Sequence, residues 1–373
     1  MLIKTEELKK ITDNILPAVD TSVVTNYTEN LELYSQNQSL YVCVTNREYY
    51  VKSVLPLGYD EELHATVNAT LFLKLISQIT TEDIELKTDD KVLYIKGNGS
   101  YKLPLIYEDG TLLELPKIEI ENPTCSMKIG TGVLNSIARY NSKELQSGII
   151  SRPVQKMYYV DEEGAITFTN GACVNSFTLE KPVKMLLSGK VVKLFKLFAD
   201  QEVEFTLGYD AVSETIIQTK VMFKDSKTEL TAILQCDDTM LRSVPVKNIR
   251  GRAFNPYPYE VVINKNSMIQ SINRLSLLMN RGTKDSFQFI AKFKFTADGV
   301  TISDDKEENT EFISFANKCD ALVNEYSAMF NLSDIKNTLS VCDEDELTMH
   351  FGDTFALVIS RTNIFNVIPE YHD

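Results

Sequence analysis

The sequence predicts an α+β fold built from three copies of one unit, each with two helices packed on antiparallel sheets. Three observations predict it. An amphipathic segment, a set of strands, a second amphipathic segment and more strands follow one another three times along 373 residues. The second helix of each pass starts 64, 58 and 66 residues after the first, from Lys4 to Asn68, Gly130 to Ser188 and Lys265 to Asn331. The intervening stretches alternate apolar and polar residues and are broken by turn residues, as antiparallel strands require. Such a period is the mark of repeats, and the boundaries are set at 1–125, 126–250 and 251–373.

Each element follows from its spacing. "KTEELKKITDNILPAV" (4–19) places Leu8, Ile11 and Ile15 on one helical face. "NATLFLKLISQI" (68–79) does the same with Phe72, Leu75, Ile76 and Ile79, and Asn68 is a helix N-cap. "DIELKTDDKVLYIKGNGSYKLPLI" then reads as strands turning at Asp89-Asp90 and at Gly97-Asn98-Gly99. The second pass opens with "GTGVLNSIARYNSKEL" from Gly130 and has its second helix in "SGKVVKLFKLFAD", capped by Ser188. The third opens with "KNSMIQSINRLSLLMNR" from Lys265 and has its second helix in "NLSDIKNTLSVC", capped by Asn331.

Charge is distributed unevenly over this plan. The chain carries a net charge of −14, so its average field repels nucleic acid. The six helical segments (4–18, 68–79, 130–144, 188–199, 265–281, 331–341) nevertheless total +8, leaving −22 for the rest. In 188–200 the contrast is sharpest: Lys190, Lys193 and Lys196 alternate with Val191, Leu194, Phe195 and Phe198. If the helices share one face, that face attracts phosphate while the remainder repels it.

Other classes find little support. No apolar run approaches the roughly 20 residues that span a bilayer, and "MLIKTEELKK" lacks a signal-peptide core. The six cysteines are scattered without CxxC spacing, which fits reduced thiols in the cytoplasm. There is no phosphate loop, GxGxxG, HExxH or GxSxG motif, and His64, His350 and His372 are too dispersed for a triad or metal site. "CDEDEL" and "DDKEEN" lack EF-hand spacing. No cofactor, metal or catalytic residue is expected, and the chain is read as not an enzyme.

Short motifs then carry a resemblance. "SRPVQKMYYVDEEGAITFTNGACV" (151–174), "FNPYPYEVV" (254–262), "FNLSDIKNTLSV" (330–341) and the terminal "NVIPEYHD" occur in the order and spacing of matching stretches in the bacterial DNA sliding clamp family, the beta subunit of DNA polymerase III. The whole chain resembles that family. Departures are Asp334 where an aromatic is usual, Ala172-Cys173 where His-Arg is common, and Glu370-Tyr371 after Pro369. They suggest a divergent phage- or plasmid-type member with an altered choice of peptide.

The resemblance implies a processivity factor. Two chains would join head to tail in a ring around double-stranded DNA, contacting phosphates without reading sequence, and a clamp loader would open the ring. The channel would be lined by Lys10, Lys74, Arg139, Lys143, Lys190, Lys193, Lys196, Lys265 and Arg274. A hydrophobic groove for the DNA polymerase and other partners would include Arg152, Val154, Thr169, Gly171, Val174, Pro258, Asn331, Phe355, Leu357 and Ile368. Of these, Phe355 and Leu357 alternate on a strand and fit a core equally well. The homodimer joint would place the edge strand "SYKLPLI" (100–106), with Leu103 and Leu105, against Leu277 and Leu278, and acids of "SDDKEENTE" would face Lys96 and Lys102. The rival reading is a β-rich protein-interaction scaffold that does not encircle DNA; a two-carboxylate hydrolase is more distant.

Overall fold

The computed structural model describes residues 1–20, 25–139, 157–168, 171–211, 217–236, 238–279, 289–340, 342–352 and 356–371. Its element order repeats three times as strand, helix, four strands, helix, three strands. The first pass runs β1 (Leu2–Lys4), α1 (Thr5–Ile15), β2 (Asn30–Gln36), β3 (Ser39–Thr45), β4 (Tyr49–Pro56), β5 (His64–Asn68), α2 (Ala69–Gln78), β6 (Asp83–Thr88), β7 (Val92–Lys96) and β8 (Ser100–Pro104). A small hairpin, β9 (Tyr107–Glu108) and β10 (Thr111–Leu112), follows it. The second pass is β11 (Pro123–Gly130), α3 (Thr131–Arg139), β12 (Met157–Asp161), β13 (Gly164–Phe168), β14 (Ala172–Ser176), β15 (Lys184–Ser188), α4 (Gly189–Lys193), β16 (Glu202–Ala211), β17 (Ile217–Lys224) and β18 (Thr228–Cys236). Two short helices, α5 (Asp238–Ser243) and α6 (Val246–Ala253), precede the third. That pass is β19 (Tyr259–Asn264), α7 (Lys265–Met279), β20 (Ile290–Phe295), β21 (Gly299–Ser303), β22 (Thr310–Ser314), β23 (Tyr326–Asn331), α8 (Leu332–Ser340), β24 (Glu346–Phe351), β25 (Ala356–Arg361) and β26 (Ile364–Pro369).

Sheet pairing follows one rule in all three passes. The first strand joins the last three (β1-β6-β7-β8, β11-β16-β17-β18, β19-β24-β25-β26), and the middle four pair among themselves (β5-β2-β3-β4, β15-β12-β13-β14, β23-β20-β21-β22). The last strand of one pass then pairs with the third of the middle four in the pass before it. β18 lies antiparallel to β4, with Leu230 opposite Val51, and β26 to β14, with Phe365 opposite Val174. Two eight-stranded sheets result, and two four-stranded sheets remain, one ending at β8 and the other at β22.

The chain divides into two compact units, Met1–Ala138 with Lys190–Asp238, and Arg139–Gly189 with Thr239–Asp373. In the first, α1 packs on α2, burying Leu8, Ile11 and Ile15 from one and Phe72 and Ile76 from the other. In the second, α7 and α8 cover a core holding Met268, Ile272, Leu275, Phe293, Phe295, Phe330, Ile335 and Phe351. The rings of Phe295 and Phe351 stack 4.0 Å apart within it.

Two expected caps are formed. The Asn68 side chain accepts from Leu71 N–H at 3.0 Å and that of Asn331 from Ser333 N–H at 2.8 Å. Two helices differ from expectation in length. The first stops at Ile15 and tightens into a 3₁₀ turn over Leu16–Ala18, because Pro17 has no N–H to continue the ladder. The segment 188–199 is a five-residue α-helix followed by a 3₁₀ turn, Leu194–Leu197, rather than one continuous α-helix. Among the described residues no helix is long and apolar enough to cross a membrane.

Candidate functional site

In the first unit, the lysine-bearing segment is sealed on one face and open on the other. Val191, Val192, Leu194, Phe195, Leu197 and Phe198 are buried, and Phe195 meets Phe223 edge to face at 4.8 Å. Lys190, Lys193 and Lys196 are all exposed. The 3₁₀ turn explains their spacing: residues three apart eclipse one another in that geometry, so Lys193 and Lys196 stay on one edge. The neighbouring α1 is held alongside by Asn14, whose Nδ2 donates to Leu197 O at 3.3 Å and Thr228 Oγ1 at 3.2 Å.

The expected cations differ in what surrounds them. Lys190 is paired with Asp20 at 3.1 Å and Glu48 at 3.8 Å. Lys10 pairs with Glu6 one turn back along α1 at 3.0 Å. Lys74, Lys193 and Lys196 are exposed and, among the described residues, have no ion-pair partner. In the second unit, Lys265 is half-buried and donates to Cys342 O at 2.9 Å, bracing the start of α7 against the second residue beyond α8. Arg274 makes a two-pronged bond to Glu311 through Nε at 2.7 Å and Nη2 at 2.6 Å. Arg139 ends α3, its side chain outside what is described; Lys143 lies outside the described residues.

The expected groove residues gather only in part. Arg152, Val154, Thr169 and Phe355 fall outside the described residues. Gly171 and Val174 stand at the β14–β26 joint, where a Cβ on Gly171 would lie 2.1 Å from Val367 O. Glycine is therefore a steric requirement of this joint. Val174, Leu357 and Ile368 are buried, and Leu357 and Ile368 belong to the core of the third repeat, so they support this surface from beneath. Pro258 is exposed near Gly352, and Asn331 serves as the α8 cap.

Sequence reading missed α6, which packs against β14, β25 and β26. Its Arg250 forks onto Asp161 at 2.9 and 2.5 Å and reaches Glu163 at 2.7 Å, fixing the helix to the β12–β13 turn. At its end, half-exposed Phe254 meets Phe365 at 4.9 Å, leaving an accessible aromatic pair beside the joint. The mixed polar pattern of "VKNIRGRA" carries no helical period, and Phe254 opens the motif "FNPYPYEVV" with no sequence signal of its contact to Phe365.

The expected joint residues are mostly accessible. Leu103 is half-buried on the edge strand β8, whereas Leu105 is buried in its own unit. Leu277 is 78% exposed and Leu278 46%, at the end of α7, and Phe312 on the edge strand β22 is 59% exposed. In the acidic hairpin between β21 and β22, Glu307 is occupied within its own unit. Glu307 pairs with Lys292 at 2.6 Å and Lys294 at 2.9 Å, and these bonds pull its carboxyl down to about 2. Lys96 likewise pairs with Glu85 at 3.5 Å, and Lys102 lies 5.3 Å from the Tyr94 ring centre. Among the described residues no cluster of three or more His, Cys, Asp or Glu could hold a metal.

This architecture is the bacterial sliding-clamp fold. The beta subunit of DNA polymerase from Streptococcus pyogenes superposes with a TM-score of 0.78 at 15% identity, covering 100% of this chain and 99% of that one. The DNA polymerase sliding clamp of Bacillus subtilis gives 0.75 at 16% identity, over 100% and 98%. The Helicobacter pylori beta clamp, bound to a DNA ligase peptide, gives 0.74 at 14% identity over the whole of both chains. No family model matches the sequence, and no curated protein matches it.

Proposed function

We propose that the protein is a DNA sliding clamp: a processivity factor that encircles double-stranded DNA as a head-to-tail homodimer and tethers a DNA polymerase. In this reading it comprises three clamp domains (1–125, 126–250, 251–373), acts in the cytoplasm and is placed on DNA by a clamp loader. It performs no chemistry of its own.

One observation carries this reading: the pairing rule leaves two complementary edges. Each internal joint puts the last strand of one repeat against the third middle strand of the preceding repeat. The last strand of the first repeat, β8, and the third middle strand of the last repeat, β22, end their sheets. Open sheet edges promote association unless paired or blocked. A second copy supplies β22 to β8 and the reverse, making the contact two internal joints already display. Six repeats then form the ring, with Leu103, Leu277 and Leu278 at the apolar centre of each joint.

The groove for partner peptides is assigned to the surface around Gly171, α6, Phe254 and Phe365, with Val174, Leu357 and Ile368 beneath it. Exposed Phe254, packed on partly buried Phe365 beside a rigid joint, suits short peptides with hydrophobic anchors.

The test is mass in solution combined with peptide capture. The expected particle has twice the chain mass of 42.2 kDa, and Leu277→Asp with Leu278→Asp makes it monomeric. Gln-x-x-hydrophobic-Phe peptides are expected to capture the wild type but neither Phe355→Ala nor a chain lacking its last six residues. A monomeric wild type, or undiminished capture of both variants, contradicts the corresponding part.

A further inference from the structure

Arg274 does not face solvent as a free cation. Its Nε and Nη2 bond both oxygens of Glu311, and Nη2 also donates to Ser271 Oγ at 3.2 Å. Ser271 Oγ in turn donates to Glu311 Oε2 at 3.2 Å. The carboxylate is the fixed member of this cluster, with its side chain 21% exposed against 55% for the arginine. The same bonds lower the Glu311 carboxyl below its ordinary value and raise the guanidinium. Glu311 lies on β22, whose next residue, Phe312, points to the other face of the sheet.

A guanidinium has five donors in a fixed fork, and this arrangement engages three of them while a neighbouring negative charge offsets its field. A phosphate must compete with Glu311 or accept the two donors on Nη1. We infer that Glu311 is a positioning residue that restrains Arg274, so that the second unit touches a passing duplex weakly and does not brake it. The inference rests on the sliding-clamp reading and adds a carboxylate that weakens the contact. Lys193 and Lys196 of the first unit have no ion-pair partner among the described residues and so no such restraint there.

The experiment measures affinity for a 30-base-pair duplex by fluorescence anisotropy across a salt series, with thermal unfolding of each variant alongside. Glu311→Gln is expected to tighten binding about fivefold at 0.1 M salt. It should also steepen the slope of log affinity against log salt by about 0.9, the increment of one added phosphate contact. Glu311→Asp keeps the charge and is expected to restore the wild-type slope. In an Arg274→Gln background, Glu311→Gln is expected to leave the slope where it was. An unchanged slope in Glu311→Gln overturns the inference, as does equal tightening with and without Arg274.

A second comparison leaves Glu311 intact: Arg274→Gln alone is expected to loosen binding less than Lys193→Gln, and an equal or larger loss overturns the inference. Wild-type protein with no salt-dependent duplex affinity contradicts the clamp reading itself, and this inference with it. Duplex affinity with no Glu311 effect contradicts the inference alone.

Discussion

The segments 188–199 and 265–281 each carry +3 in the sequence, yet Lys193 and Lys196 of the one stand in different surroundings from Lys265 and Arg274 of the other. In the first, Lys193 and Lys196 project into solvent from a segment whose other face is sealed by Phe195 and its neighbours. In the second, Lys265 braces a helix start and Arg274 is forked onto Glu311. Formal charge is additive along a sequence; the charge offered to a phosphate is not, because a carboxylate a few ångströms away cancels the local field. The comparison teaches that a basic helix must be weighed with its neighbours before it is counted as a DNA contact.

Four changes would sharpen or break this contrast. The largest effect is expected from the scaffold beneath α7: Phe351→Ala removes a ring stacked on Phe295 and should destabilise the third repeat by about 3–5 kcal/mol. Denaturant midpoints check it, and a loss below 1 kcal/mol would mean the core collapses around the gap. Next, Lys193→Glu with Lys196→Glu should make the salt slope of duplex binding shallower by about 1.8, and Lys265→Gln should change it little. Equal effects from the two segments would erase the contrast.

A smaller change is expected from Asn331→Ala, about 1 kcal/mol through loss of the α8 cap, with Asn68→Ala costing about the same at α2. Unequal losses, read from thermal melts, would show that one helix relies on its cap more than the other.

The smallest effect concerns the same rule applied to a histidine. The bond from His64 to buried Glu32, 2.9 Å away, raises the imidazole above its ordinary value, outweighing the opposing effect of burial. A raised value in the folded state adds stability below about pH 6.5, the ordinary histidine value, and loses it as pH rises through the folded one. His64→Gln should therefore melt below the wild type at pH 5.5 and level with it at pH 9. A gap that is largest at pH 9 would reverse the sign of this argument.

Much of the fold was legible because period and caps are local. Asn68 and Asn331 cap their helices as read, the Asp89-Asp90 and Gly97-Asn98-Gly99 turns lie between the expected strands, and "SYKLPLI" contains an edge strand. Of the candidate site, the sequence made legible the exposure of Lys193 and Lys196, which follows from residue type and spacing. What escaped depends on partners distant in sequence. Glu311 stands 37 residues from Arg274, and Cys342 77 residues from Lys265. The 3₁₀ turn over Leu194–Leu197 escaped because a period of three and one of 3.6 barely diverge over four residues. Leu357, placed in the groove by motif match and equally suited to a core, is buried; strand alternation does not say which face is covered, and both faces of β25 are, as its nearly continuous burial shows.

Retention on circular DNA tests the central claim most directly. Protein carried onto a nicked circular duplex at high concentration is passed through a sizing column at 0.3 M salt, before and after one cut opens the circle. A ring held by topology stays with the circle and is lost from the linear product, although sequence, length and phosphate count are the same. Equal retention on both forms, or loss from both, would contradict encirclement and leave only an acidic protein with a few basic helices.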